Sequence, residues 1–222
     1  MKKIIIILIV IFIGSVVFYF KNIKQAETPV VPTVEKQVEK QAEQKKIVDT
    51  QIKNIFQPPL TRAGERVTKK PFGIFITPHN SPVQPEKFSG YHAGADFETF
   101  PKEENAEILV KAICSGELKM KKTATGYGGV AVQACQLDNN PITVIYGHLK
   151  LSSVAKNTGE NIEAEETIGI LGKGFSAETS GERKHLHLGI HKGADINIIG
   201  YVQNQTELFN WINPCLYVCE KK

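Results

Sequence analysis

Beyond residue 22 the chain carries almost no surplus charge, with 24 basic residues standing against 23 acidic ones. So even a balance leaves no basic footprint for nucleic acid, and no nucleic-acid partner is expected. Residues 34–41, Val-Glu-Lys-Gln-Val-Glu-Lys-Gln, have few large apolar side chains and repeat strictly every four residues. A period of four drifts around a helix and makes no continuous seam, which excludes a coiled coil there. No serine or cysteine stands in an activated-nucleophile arrangement, so nothing points to a covalent intermediate. Acids are absent from the first 22 residues, where Lys2, Lys3 and Lys21 flank the uncharged run Ile4 to Phe20.

That run of seventeen residues is at the short end of what spans a bilayer. No small-x-small cleavage site follows it, so residues 1–22 are expected to be an uncleaved membrane anchor rather than a signal segment. The expected placement has the body of the protein outside the cytoplasm, or secreted if the segment is cut. Residues 23–58 read as a low-complexity stalk. Thr28-Pro29-Val30-Val31-Pro32 cannot be helical throughout, and Ile47, Ile52, Ile55 and Phe56 are the residues that could dock its end. Residues 59–222 read as one domain.

Eighteen glycines and eleven prolines set among short apolar runs indicate a mostly β, compact antiparallel domain. Strands are predicted at Gly73–Thr77, Ile108–Cys114, Val130–Cys135, Ile142–Leu149 and Thr167–Leu171. Asp138-Asn139-Asn140-Pro141 supplies a hairpin turn, and a glycine-rich loop runs from Gly172 to Lys184. Trp211-Ile212-Asn213-Pro214 is predicted to close the domain against its core.

His185-Leu186-His187-Leu188 follows that loop. In a strand the two imidazoles share a face, with Cα atoms about 7 Å apart, while the leucines bury the other face. Such a pair on a rigid element suits a metal ion with an adjacent base, or is merely a half-exposed strand. His92 and Asp96 frame Gly94, where a tight turn would let both side chains converge. His148 ends the apolar run Ile142–Gly147. His79 and His191 are expected on the surface, although His191 shares strand parity with His187.

His-Ala-Gly-Ala-Asp at 92–96, Tyr-Gly-His-Leu at 146–149 and His-Leu-His at 185–187 resemble, in order and context, the lysostaphin/LytM-type zinc endopeptidases of bacterial cell walls. Pro71-Phe72-Gly73, Gly126-Tyr127-Gly128 and Gly-Ile-Leu-Gly at 169–172 agree with it, so the resemblance covers roughly residues 65 to 217. It implies a lysostaphin-type β domain with a substrate groove. It also implies one zinc ion held by His92, Asp96 and His187, with His148 and His185 handling protons. The implied activity is hydrolysis of peptide bonds in peptidoglycan by metal-activated water, with peptidoglycan peptides as partners and a monomer favoured. A catalytically silent member that binds the wall and activates an amidase, or a secreted protease acting on proteins, are the alternatives. Ser180-Gly181-Glu182-Arg183-Lys184 departs from the family's usual lead into the His-x-His strand, being longer and charged. Arg183 and Lys184 are either a solvated loop tip or cations that meet a carboxylate of a stem peptide in the groove.

Four cysteines permit three pairings. Cys114 and Cys135 end two strands expected to be neighbours, and Cys215 can reach Cys219 only across a turn or helical loop. Disulfides Cys114–Cys135 and Cys215–Cys219 are expected, which suits an oxidising compartment. Neither pair has the spacing of a cysteine zinc site.

Overall fold

The protein is described from a computed structural model that covers residues 56–219. The expected anchor and all of the expected stalk up to residue 55 lie outside these residues. No helix among the described residues is long and apolar enough to cross a membrane.

Twelve strands form the described chain: β1 (Phe75–Ile76), β2 (Gly90–His92), β3 (Gly94–Glu98), β4 (Leu109–Lys111), β5 (Gly116–Ala124), β6 (Gly128–Leu137), β7 (Asn140–Gly147), β8 (Asn161–Ile162), β9 (Thr167–Ile170), β10 (His185–Lys192), β11 (Tyr201–Val202) and β12 (Trp211–Ile212). Two one-turn helices, α1 (Gln205–Leu208) and α2 (Cys215–Val218), follow β11 and β12. A seven-stranded sheet runs β12-β10-β7-β6-β5-β8, with β3 also paired to β10. β1, β2 and β11 make a small sheet beside it, and β4 pairs β9. Every pairing is antiparallel.

The expected hairpin is β6–β7. Asp138 and Asn139 take φ of 50° and 62° between the strands, the left-handed pair that matches strand twist in a two-residue turn. β10 is central to the site. Its residues His187–Lys192 pair β7, while His185–Gly189 pair β3 and Ile190–His191 pair β12. Leu186 and Leu188 are fully buried in the main core with Phe97, Tyr146 and Leu118. Trp211 closes a second cluster with Val132 and Ile145, and His191 packs edge-on against its ring.

Several elements differ from the sequence expectation. Gly116–Ala124 forms a nine-residue strand that its lysine-rich pattern conceals. β4 is only three residues long and pairs β9 rather than β6. Cys114 therefore lies beyond β4, in the segment that crosses over β6, yet the Cys114–Cys135 disulfide forms, with Cα atoms 6.3 Å apart. Beside it the Tyr146 hydroxyl accepts the Ile113 N–H and donates to Gln133, whose amide donates to the Cys114 and Ile162 carbonyls. These buried polar groups are mutually satisfied, which fixes that crossing in one arrangement. Cys215 and Cys219 are bridged across α2, the helical loop their spacing requires. Phe56, one of the residues expected to dock the end of the stalk, is buried against Tyr217, and Gln57 donates its N–H to the Ile113 carbonyl.

Candidate metal centre

Strand register builds the centre. Asp96 stands directly opposite His187, and Glu98 opposite His185, across the β3–β10 pair. Period-two alternation then puts all four side chains on one face. His92, at the end of β2, enters from the neighbouring sheet, and Gly94 makes its approach possible. A Cβ on Gly94 would lie 2.6 Å from the Leu188 carbonyl oxygen and 2.7 Å from the His187 ring. Only glycine lets the His92, Asp96 and His187 side chains close up.

His92 Nε2, His187 Nδ1 and Asp96 Oδ1 form a triangle with sides of 3.0, 3.1 and 3.2 Å. Ligand atoms on a tetrahedral zinc ion are about 3.3 Å apart, given bonds of about 2.0–2.1 Å. The donor set of two imidazoles and a carboxylate is a zinc set, and the residues fit the ion. The His92 tautomer agrees. His92 Nδ1 lies 3.3 Å from the Pro71 carbonyl oxygen, which can only accept, so Nδ1 carries the proton and Nε2 keeps its lone pair.

Burial sets the charges. It would raise the Asp96 carboxyl, but the imidazoles of His185, His92 and His187 gathered around it outweigh it and hold the group well below the carboxylate range. Burial pushes His187 down to about 4 despite Asp96, leaving the neutral imidazole that a metal needs. His148 is likewise pushed well below its ordinary value by burial and by the His185 charge.

His148 sits at φ 64°, in the left-handed region that a β-carbon disfavours. This kink at the end of β7 turns its ring toward His185, with centroids 4.2 Å apart. His185 Nδ1 is 2.8 Å from the Arg183 carbonyl oxygen, so Nδ1 holds a proton, and Nε2 lies 3.3 Å from Asp96 Oδ2. A cleft of about 330 Å³ opens onto Asp96, His148, His185 and His187.

The histidine face is not half exposed, because loops roof it. Phe88, stacked on Tyr201, reaches toward Gly126, and Lys87 pairs with Glu182 across the loops at 3.5 Å. Arg183 and Lys184 are not a solvated tip, and Arg183 lines the cleft. Arg183 is buried, bonded to Glu98 and to Asp96 Oδ2, and Lys184 Nζ is bound to the carbonyls of Glu103, Glu104 and Ala106. Sequence reasoning missed Tyr201, whose ring lies 5.1 Å from His92, and Tyr127, 5.2 Å from His187. It also missed Glu98, which strand parity with Asp96 makes findable. Of the remaining histidines, His79 is exposed and His191 is half-buried outside the triangle.

The chain belongs to peptidase family M23, whose sequence model matches residues 90–205. Among solved structures it is similar to the catalytic domain of the antimicrobial peptidase lysostaphin from Staphylococcus simulans, at 19% identity over 66% of this chain and 86% of that one, TM-score 0.45. It is similar to LytU at 19% identity over 67% and 81%, TM-score 0.45. A third likeness is to the SpoIIQ–SpoIIIAH pore-forming complex, at 18% identity over 69% and 90%, TM-score 0.43. No curated protein matches the chain.

Proposed function

We propose that the protein is a zinc-dependent endopeptidase of the bacterial cell wall, hydrolysing peptide bonds in peptidoglycan cross-links or stem peptides. The observation that carries this is the His92–Asp96–His187 triangle with two further imidazoles beside it at the floor of one cleft. A bound zinc ion supplies Lewis acidity, which polarises a peptide carbonyl and makes water acidic near neutral pH. His148, kept neutral by burial, accepts the proton of the attacking water and returns it to the leaving amine nitrogen. His185 is oriented through Nδ1 by the Arg183 carbonyl, and its Nε2 carries the proton that meets negative charge developing on the carbonyl oxygen. The loops over the site limit bulk water and hold an extended peptide against the floor. The domain acts outside the cytoplasm, tethered through residues 1–22. Support for that placement comes from the two disulfides and the apolar N-terminal run.

The test is mass spectrometry of purified sacculi digested with the zinc-loaded protein. New muropeptide fragments whose masses name a cleaved peptide bond are expected. A zinc-loaded protein that releases none overturns hydrolysis and leaves a wall-binding role.

A further inference from the structure

We infer that Glu98 and Arg183 act together as a charge guard on the metal ligand Asp96: Glu98 holds the guanidinium so that it orients Asp96 without capturing it. The inference rests on zinc binding by His92, Asp96 and His187. Among the described residues Arg183 is the cation bonded to the triangle's carboxylate, and its presence there calls for an explanation. An arginine and a divalent metal compete for the same carboxylate charge, and at close range in a dry site that competition is strong.

The geometry shows how the competition is managed. Arg183 Nε lies 2.9 and 3.1 Å from the two Glu98 oxygens, and Nη2 makes a further short contact with Oε1. A single bond, from Nη2 at 3.0 Å, goes to Asp96, and it reaches Oδ2, the oxygen facing away from the triangle. Oδ1 is left to His92 and His187. Glu98 is itself fixed. Its N–H donates to the Arg66 carbonyl, its carbonyl accepts from Arg66 Nη1, and Lys69 Nζ stands 3.6 Å from its carboxylate at the surface side. Glu98 and Arg183 both have less than a tenth of their surface exposed, so water does not screen the pair. Burial opposes the Arg183 charge, but Glu98 and Asp96 more than restore it, and the group stays a cation. Glu98, which does not line the cleft, and Arg183, which does, are thus positioning residues that act through Asp96.

Without Glu98 the guanidinium has only Asp96 to balance it, and the carboxylate turns from the metal to the arginine. Removing both charges takes the competitor away with its guard. The experiment measures zinc affinity of the full-length chain by competition with a chromogenic chelator, for the wild type, Glu98→Gln and the Glu98→Gln/Arg183→Met double variant. Glu98→Gln is expected to weaken binding about 10- to 100-fold, and the double variant to return to within about threefold of wild type. Metal-free melting temperatures of all three identify any loss of folding, which recovered affinity in the double variant would itself contradict. A wild type and a Glu98→Gln variant that bind equally tightly overturn the guard while leaving the zinc centre standing. A double variant as weak as Glu98→Gln also overturns it. A wild type that takes up no zinc removes the metal centre, and the guard with it.

Discussion

Asp96 and His187 face each other directly across β3 and β10, with Oδ1 and Nδ1 3.1 Å apart. The metal centre is therefore held together by sheet register, and its carboxylate is not interchangeable with an amide of the same shape. Asp96→Asn keeps the volume and removes the charge. After dialysis against metal-free buffer, the wild type should retain about one zinc per chain and the variant far less, as read by elemental analysis. Equal zinc content in the two proteins would place the ion elsewhere.

His148 is expected to separate chemistry from metal binding. His148→Gln should keep the zinc, because the triangle does not include it, and slow release of muropeptides from sacculi about 10²- to 10⁴-fold. A variant that digests sacculi at the wild-type rate would take His148 out of the reaction.

Gly94→Ala tests the close approach of β2, β3 and β10. The added methyl meets the Leu188 carbonyl and the His187 ring at under 3 Å, and both are fixed by pairing on either side. A destabilisation of about 1–3 kcal/mol is expected, together with weakened zinc uptake. Unchanged urea midpoint and unchanged zinc content would show that the strands can separate there at no cost.

The histidine motifs were legible because alternation in a strand is a local rule, and the β6–β7 turn was legible because Asp138 and Asn139 accept left-handed backbone readily. The pairing of Glu98 with Arg183 was not. They are 85 positions apart and meet only once β3 and β10 pair in register, so Arg183 looked like a loop tip. β5 was hidden for a related reason: its apolar alternation is only Leu118 and Met120 among Lys119, Lys121 and Lys122, and β6 supplies the partner that makes nine residues a strand. The roof over the histidines, built from separate loops, has no signature in any one of them.

Acid stability should depend on Glu103. Hydrogen bonds from Arg66, whose side chain is buried, lower the Glu103 carboxyl to about 2, against 4.5 for an ordinary glutamate. The folded value lies below the unfolded one, so this pair stabilises fully above about pH 4.5 and loses its contribution as pH falls toward 2. In Glu103→Gln, stability is expected to be lower than wild type at pH 7, with the gap closing between pH 4.5 and 2. Denaturation midpoints across that range check it. A gap that stays constant with pH would mean the pair is not coupled to protonation.

Double pairing of β10 also governs how a substrate can be read. From His187 to Gly189 its backbone is paired to β3 on one edge and to β7 on the other, so no N–H or C=O is left for a visiting strand. A peptide entering the cleft cannot pair with β10 there and gain affinity through a backbone ladder on the strand that carries the histidines. Over that strand it is recognised through side chains and loops. Exchanging the residues at 84–89, 172–182 and 193–199 should therefore redirect which peptide is bound while leaving the histidines, Arg183 and β11 in place.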